Sequence, residues 1–258
     1  MNIKTLLVVV SSVQEEGPLS MAIALAKRHS AHLAALHVIP PPLVLYSGMG
    51  GDIPASVIEA QQEEAEKAAE AIRAKVEATA AATGTAIEWR CERGDEIANA
   101  AVHANYADLT VCKPDVARDL VFAAATPVLA ATSGKGQAPR RPLVAWNGSR
   151  EAARAVHDAL PLLAAAEAVD ILVVDPSQDG MGIDIARSLG RHGVKANIRE
   201  RLSHGADVGD LLLEEVRTSG ADLLVMGAYG HSRMREWVLG GATESVLDQD
   251  KVPALLAH

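Results

Sequence analysis

The sequence predicts an α/β fold of two related, doubly wound domains, each a parallel sheet covered by helices on both faces. Three observations carry this. Apolar, strand-like runs alternate with helical stretches along the chain. The same order of elements occurs twice in 258 residues, a length that suits two domains of ordinary size. Hydrophobic residues make up 49% of the chain but aromatics only 3%. The cores are therefore built from Ala, Val, Leu and Ile, which favours helices on buried strands over an aromatic-rich β-sandwich.

The first half opens with residues 4–12, a β-branched apolar run ending in small polar residues, read as a strand. Its apolar stretch is too short for the core of a signal peptide, and no run approaches membrane-spanning length. An Ala-rich helix over 19–30 and an apolar strand over 32–39 follow. Three prolines and a glycine cluster over 47–52 then read as a surface loop before they read as a lid. The long helix over 54–83 carries Glu63 four before Lys67 and Glu70 three before Arg73, helix-supporting pairs on a solvated face. A helix over 95–105 leads into a strand at 107–111, and 126–130 closes the half.

Residues 133–140, rich in Gly, Pro and charge, read as an exposed linker that separates a domain at 1–133 from one at 140–258. The second half repeats the pattern. A strand at 141–149 precedes a helix over 150–166, and a strand at 169–175 precedes a shorter helix over 182–192. A helix over 207–219 leads into a strand at 221–226, and 252–256 closes the chain as 126–130 closes the first half. A unit this long is a duplicated domain, not a solenoid repeat. In doubly wound sheets ligands sit beyond the C-terminal ends of the strands.

Several function classes are disfavoured. A net charge of −9 opposes general nucleic-acid binding, but it leaves room for one small anion held by backbone dipoles. Cys91 and Cys112 form neither a disulfide framework nor a metal cluster and read as ordinary thiols of a reducing cytosol, so no metal site and a cytoplasmic protein are expected. No membrane partner is expected. Ser149 lies in Asn-Gly-Ser-Arg, not in a hydrolase elbow, and no Walker Lys-Ser/Thr pair follows Gly227. No catalytic residue emerges, and rapid phosphoryl transfer is not expected.

The informative segment begins where the strand ends at Met226. Gly227 and Gly230 follow at once, and after nine further residues come Gly240, Gly241, Ala242, Thr243 and a helix. Glycines here allow positive φ and let backbone N–H groups approach an anion. The helix adds its N-terminal dipole, and Thr243 is placed to cap it or to offer a hydroxyl to a phosphate. Turn glycines before an ordinary capped helix explain the pattern equally well. His231 reads as a loop residue before it reads as a phosphate ligand. Trp146 and Trp237 read as core or interface fillers before they read as packing against a base.

This stretch resembles the universal stress protein family, whose nucleotide-binding members carry G-x-x-G, nine residues, then Gly and Ser or Thr. Gly227, Gly230 and Gly240 match in type and spacing. Residues 144–149, ending in Asn147-Gly148-Ser149, resemble the family's first strand and its Asp-Gly-Ser turn. The resemblance covers both halves in element order, and it implies a tandem member with Rossmann-like domains similar to adenine nucleotide alpha-hydrolases.

It further implies that Asn147 and Gly148 lie at the nucleoside, that backbone at Val174 meets the adenine edge, and that Met226, Gly227, Gly230, Gly240, Gly241 and Thr243 surround the phosphates of ATP or AMP, with Mg2+ accompanying them. Asn147 replaces an acidic residue and Gly241 a hydroxyl residue of the binders. The first half reads Cys112-Lys113-Pro114-Asp115 at the corresponding place, with no G-x-x-G, so it is expected to bind no nucleotide in this manner. The family pairs its closing strands between subunits. Here the resemblance implies that the two halves pair within one chain as a pseudo-dimer, with a homodimer of whole chains as a further expectation. The competing functions are a ligand-free interaction module and a slow ATPase.

Overall fold

The computed structural model describes residues 2–42, 54–230 and 241–258. In chain order the first half comprises β1 (Thr5–Val9), α1 (Gly17–His29), β2 (His32–Ile39), α2 (Ala55–Thr83), β3 (Ile87–Arg93), α3 (Glu96–Ala104), β4 (Leu109–Cys112), α4 (Pro114–Ala123) and β5 (Val128–Ala130). The second half comprises β6 (Pro142–Ala145), α5 (Arg150–Ala164), β7 (Val169–Val174), α6 (Met181–Arg191), β8 (Ala196–Arg201), α7 (Val208–Ser219), β9 (Leu223–Gly227), α8 (Gly241–Gln249) and β10 (Ala254–Ala257).

The strands form one ten-stranded sheet in the order β3-β2-β1-β4-β5-β10-β9-β6-β7-β8. Each half therefore has its third, second, first, fourth and fifth strands side by side, all parallel. The halves join through β5 and β10, which run antiparallel with Leu129 opposite Leu255. Two doubly wound domains thus form an intramolecular pseudo-dimer, as expected. The pairing satisfies an edge in each half that would otherwise seek a partner. The two remaining edges carry charge, with Arg90, Glu92 and Arg93 on β3 and Arg199, Glu200 and Arg201 on β8.

Alternation along the strands divides the core into two faces. Leu6 and Val8 point with Val144 and Ile171 toward α1, α2, α5 and α6. Leu7 and Val9 point with Leu143 and Leu172 toward α3, α4, α7 and α8. Both faces of the sheet are covered, which is why its strands read as continuous apolar runs.

The duplication extends to single hydrogen bonds. Asp108, just before β4, accepts the backbone N–H groups of Lys4 and Thr5 at 2.7 and 2.9 Å. Asp222, just before β9, accepts those of Arg140 and Arg141 at 2.8 and 2.7 Å. In both halves the carboxylate of an Ala-Asp pair ties the fourth strand to the start of the first.

The connection between the halves is exposed at Ser133, Gly134, Lys135, Gln137 and Arg140, as expected of a linker, but it does not hang free. It lies along α1. Gly136 N–H donates to Ser20 Oγ at 2.7 Å, Arg28 donates to the carbonyls of Ala138 and Pro139, and Pro139 is buried. A Cβ on Gly136 would stand 2.8 Å from the backbone nitrogen of Met21, so a glycine is needed for this close approach.

Candidate functional site

Strand order reverses between β6 and β9, and β6, β7 and β9 end at the mouth of the crevice this creates. A cavity of about 320 Å³ opens there. Its strand-borne walls are apolar: Ala145, Leu172, Val174 and Met226. Helices add Ala152, Val208 and Leu212. The polar lining is sparse and comes from strand ends and turns, including Asn147, Ser149 and Asp175.

Three helices point their N-termini into this region. The end of α5 is capped by Ser149, whose Oγ accepts Ala152 N–H at 3.1 Å. The end of α7 is capped by Asp207, whose Oδ1 accepts Asp210 N–H at 3.1 Å. The end of α8 contributes Gly241, Ala242 and Thr243 to the lining. Free N–H groups and the positive ends of three helix dipoles suit a ligand with an anionic tail.

Most of the residues singled out in the sequence meet here. Asn147, Val174, Met226, Gly227, Gly230, Gly241 and Thr243 all line the cavity. Gly148 sits in the same turn at φ +74 but does not line it, and its Cβ position faces the Met181 side chain. Gly240, His231 and Trp237 lie outside the described residues, as does the glycine cluster at 47–52. Asn147 Oδ1 accepts Ser149 N–H at 3.0 Å, which leaves its amide nitrogen as the donor to offer a ligand. Thr243 is buried in the first turn of α8, which starts at Gly241, so Thr243 is not the cap of that helix.

Gly227 and Gly230 do not supply the positive φ expected of them; Tyr229, between them, does, at φ +55. Gly227 is required by contact. A Cβ there would stand 2.5 Å from Ala152 N and 2.5 Å from the Glu151 carbonyl carbon, so β9 ends directly against the first turn of α5. A Cβ on Gly230 would stand 2.9 Å from Glu151 Oε2. Asp175 is a second non-glycine residue at positive φ, +48. Two such outliers beside one cavity are the kind of strain that collects at functional sites.

Three carboxylates stand in or beside the cavity, Glu151 and Asp207 next to the glycines and Asp175 at the end of β7. Glu151 is almost fully buried, and its carboxyl is held low first by its own backbone N–H and then by Arg150 and His258. Asp175 is held low by the hydroxyl of Ser203 and then by the same residue's N–H, which it accepts at 2.8 Å. Asp207 Oδ2 lies 3.5 Å from where a Gly241 Cβ would be. Among the described residues no group of three or more His, Cys, Asp or Glu is placed to hold a metal ion.

The sequence reading missed Asp175, Tyr229, Val208 and Leu212. Asp175 was reachable as the residue that ends an apolar strand. Tyr229 was reachable because it stands between the two glycines. Val208 and Leu212 reach the cavity only through the packing of α7, which no local pattern reports.

The corresponding place in the first half is occupied by side chains of this chain. Ser11 donates its hydroxyl to Glu96 Oε1 at 2.6 Å and its N–H to Glu15 Oε2 at 3.1 Å. Lys113 Nζ lies 3.5 Å from Glu15 Oε1. Lys113 is five residues beyond Asp108, as Gly227 is five beyond Asp222. Glu96 follows the α3 cap Asp95 as Val208 follows the α7 cap Asp207.

Fold and site together define a duplicated, doubly wound α/β protein with a switch-point cavity in its second half. The profile of the universal stress protein family matches residues 2–113 and 139–258, and the chain belongs to that family. Among solved structures, a universal stress protein from Archaeoglobus fulgidus is 18% identical with a TM-score of 0.71, covering 98% of this chain and 95% of its own. A putative universal stress protein from Pseudomonas aeruginosa is 20% identical with a TM-score of 0.57, covering 99% of this chain and 93% of its own. A further neighbour, 26% identical with a TM-score of 0.38 over 47% of this chain and 98% of its own, is a universal stress protein in complex with cAMP. No relative was found among curated proteins. No described helix is long and apolar enough to cross a membrane.

Proposed function

We propose that the second half, 140–258, binds an adenine nucleotide, AMP or ATP, as a regulatory ligand and not as a rapidly turned-over substrate. The observation that carries this is the cavity between β6 and β9, with apolar walls sized for a flat base at one end and three helix N-termini at the other. In this reading the base lies against Val174 and Leu172, and Asn147 and Asp175 address the sugar. The phosphate meets the N–H groups around Gly230 and Gly241. Magnesium, where it accompanies the phosphates, is held by their oxygens and water, not by a protein cage. The first half, 1–133, binds no nucleotide in this manner, because Lys113 and Glu96 stand where the second half has Gly227 and Val208.

Isothermal titration with AMP and ATP tests the reading, supported by thermal shift, since a ligand that binds only the native state stabilises it by about 2.7 kcal/mol at a hundred-fold excess over Kd. One nucleotide per chain is expected. Val174→Trp, which fills the base end, should abolish binding while the protein stays folded. No uptake of either nucleotide at millimolar concentration, or two equivalent sites per chain, refutes it.

A further inference from the structure

Tyr229 lines the cavity, and its contacts lead out of its own half. Its hydroxyl donates to Glu244 Oε1 at 2.6 Å. The second oxygen of that carboxylate, Oε2, pairs with Arg118. Arg118 also reaches Asp248 Oδ1 at 2.7 Å, one turn further along α8. The Tyr229 ring lies against Phe122 with centroids 4.6 Å apart. Phe122 meets the His258 ring edge-on at 4.9 Å, and His258 Nδ1 lies 3.1 Å from the Ala228 carbonyl oxygen. Arg118 and Phe122 both belong to α4 of the first half.

These contacts join the two backbone segments that form the anion end. One runs from Gly227 to Gly230; the other is the first turn of α8. Glu244 sits in that first turn, so a single carboxylate links both segments, and α4 holds the carboxylate. The Arg118 and Glu244 side chains are 31% and 17% exposed, so solvent screens this pair less than an ordinary surface pair. Tyr229 holds a strained φ that persists only where its surroundings impose it. A single residue, Lys113, separates β4 from α4, so the helix follows its strand directly, and across the seam its Arg118 reaches α8 while its Phe122 reaches Tyr229 and His258.

We infer that α4 of the first half is the positioning element for the glycine turn of the second, with Arg118 and Phe122 as positioning residues. Its consequence for a ligand rests on the nucleotide reading above; its consequence for the turn does not. The half that carries no glycine loop thereby sets the geometry of the half that does.

Hydrogen exchange on the ligand-free full chain tests this. Arg118→Met keeps the aliphatic stem and removes the fork. Phe122→Leu keeps apolar bulk and removes the ring. In each, exchange at Ala228, Tyr229 and Gly230 should quicken by about ten-fold or more while amides of β6 and β7 keep their rates. Arg118→Lys, which retains one charge but not the bridge, should fall between. In parallel, the AMP dissociation constant should rise about five-fold or more in Arg118→Met.

Unchanged exchange at those three amides in Arg118→Met overturns the inference. So does acceleration shared equally with β6 and β7, which marks general destabilisation. If the wild-type chain takes up no AMP yet the turn loosens in Arg118→Met, the positioning role stands and the nucleotide reading falls. If AMP binds both proteins alike and exchange is unchanged, the positioning role falls and the nucleotide reading stands.

Discussion

Gly227→Ala is a one-methyl perturbation whose cost follows from the geometry. The added carbon would stand 2.5 Å from Ala152 N, 2.5 Å from the Glu151 carbonyl carbon and 2.7 Å from Glu151 Cβ. The first two are backbone, so no rotamer change relieves them. Neither partner moves freely: β9 is hydrogen-bonded between β6 and β10, and Ala152 and Ala155 of α5 are buried. Overpacking of this kind costs about 1–3 kcal/mol. Loss of glycine's freedom in the unfolded chain returns about 0.4–1 kcal/mol, so a net destabilisation of about 1–2 kcal/mol is expected. At this size that is a fall of about 2–8 °C in Tm. Gly190→Ala is the control, because Gly190 lies inside α6 with nothing within 4 Å of its Cβ position. It should stabilise by up to about 1 kcal/mol. Differential scanning calorimetry of both variants decides. A Gly227→Ala protein as stable as the wild type would show that β9 does not need this close approach to α5.

Three further outcomes are expected. Asp207→Asn should leave Tm nearly unchanged, since Asn caps a helix as well as Asp. Removing its charge beside Gly241 should tighten ATP about five-fold in titration at low salt, and more than AMP; equal, unchanged affinities would refute the opposition. Asp158 Oδ2 is buried without a hydrogen bond, with Arg154 Nε at 3.7 Å, and burial pushes its carboxyl above the ordinary 3.8. A raised carboxyl costs stability at neutral pH, so Asp158→Asn should gain up to about 1 kcal/mol at pH 7 by urea unfolding. That gain should vanish below pH 3.8, where the unfolded chain is protonated too. Asp108 is the opposite case: burial would raise its carboxyl, but the N–H groups of Lys4 and Thr5 and the Thr5 hydroxyl outweigh it and hold it low. Its contribution is present above pH 3.8 and lost as pH falls through the lower folded value, so Asp108→Asn should flatten the acid limb of the urea midpoint.

How much was legible in the sequence depended on the range of the interaction. Element order was legible because each strand is a local apolar run and each cap a local residue; Ser149, Asp95 and Asp207 cap the helices they precede. Most of the candidate site was legible because Asn147, Val174, Met226 and Gly227 all lie at or just beyond strand ends. The reason for Gly227 was not. A turn glycine and a glycine pressed against a helix look identical in sequence, and only the approach of Glu151 and Ala152 separates them. The carboxylates beside the glycines were not legible either, since Glu151 and Asp207 come from helix ends that converge through the fold. The route of residues 133–140 along α1 depends on Arg28 and Ser20, more than a hundred residues away in sequence.

The two halves keep one frame of strands and ties while their helices and crevices differ, with α2 of 29 residues standing where α6 has 11. Sheet order, the Ala-Asp tie and the cap before the fourth strand's helix are the same on both sides of the β5–β10 seam. Even the carboxylate four residues beyond the first turn residue recurs, as Glu15 after Ser11 and Glu151 after Asn147. At the crevice, Lys113 just after β4 stands where β9 ends in Gly227, and Glu96 at the start of α3 stands where α7 starts with Val208. Lys113 and Glu96 are half-buried, and a charge withdrawn from water even in part is costly without a partner. Here Lys113, Glu15, Glu96 and Ser11 partner one another, so the crevice of the first half closes on its own charges. Closure costs the fold little because the seam needs only β5 and α4, not an open crevice. Selection is then free to use α4 for a different task, and the face it turns toward α8 carries Arg118 and Phe122 onto Glu244 and Tyr229.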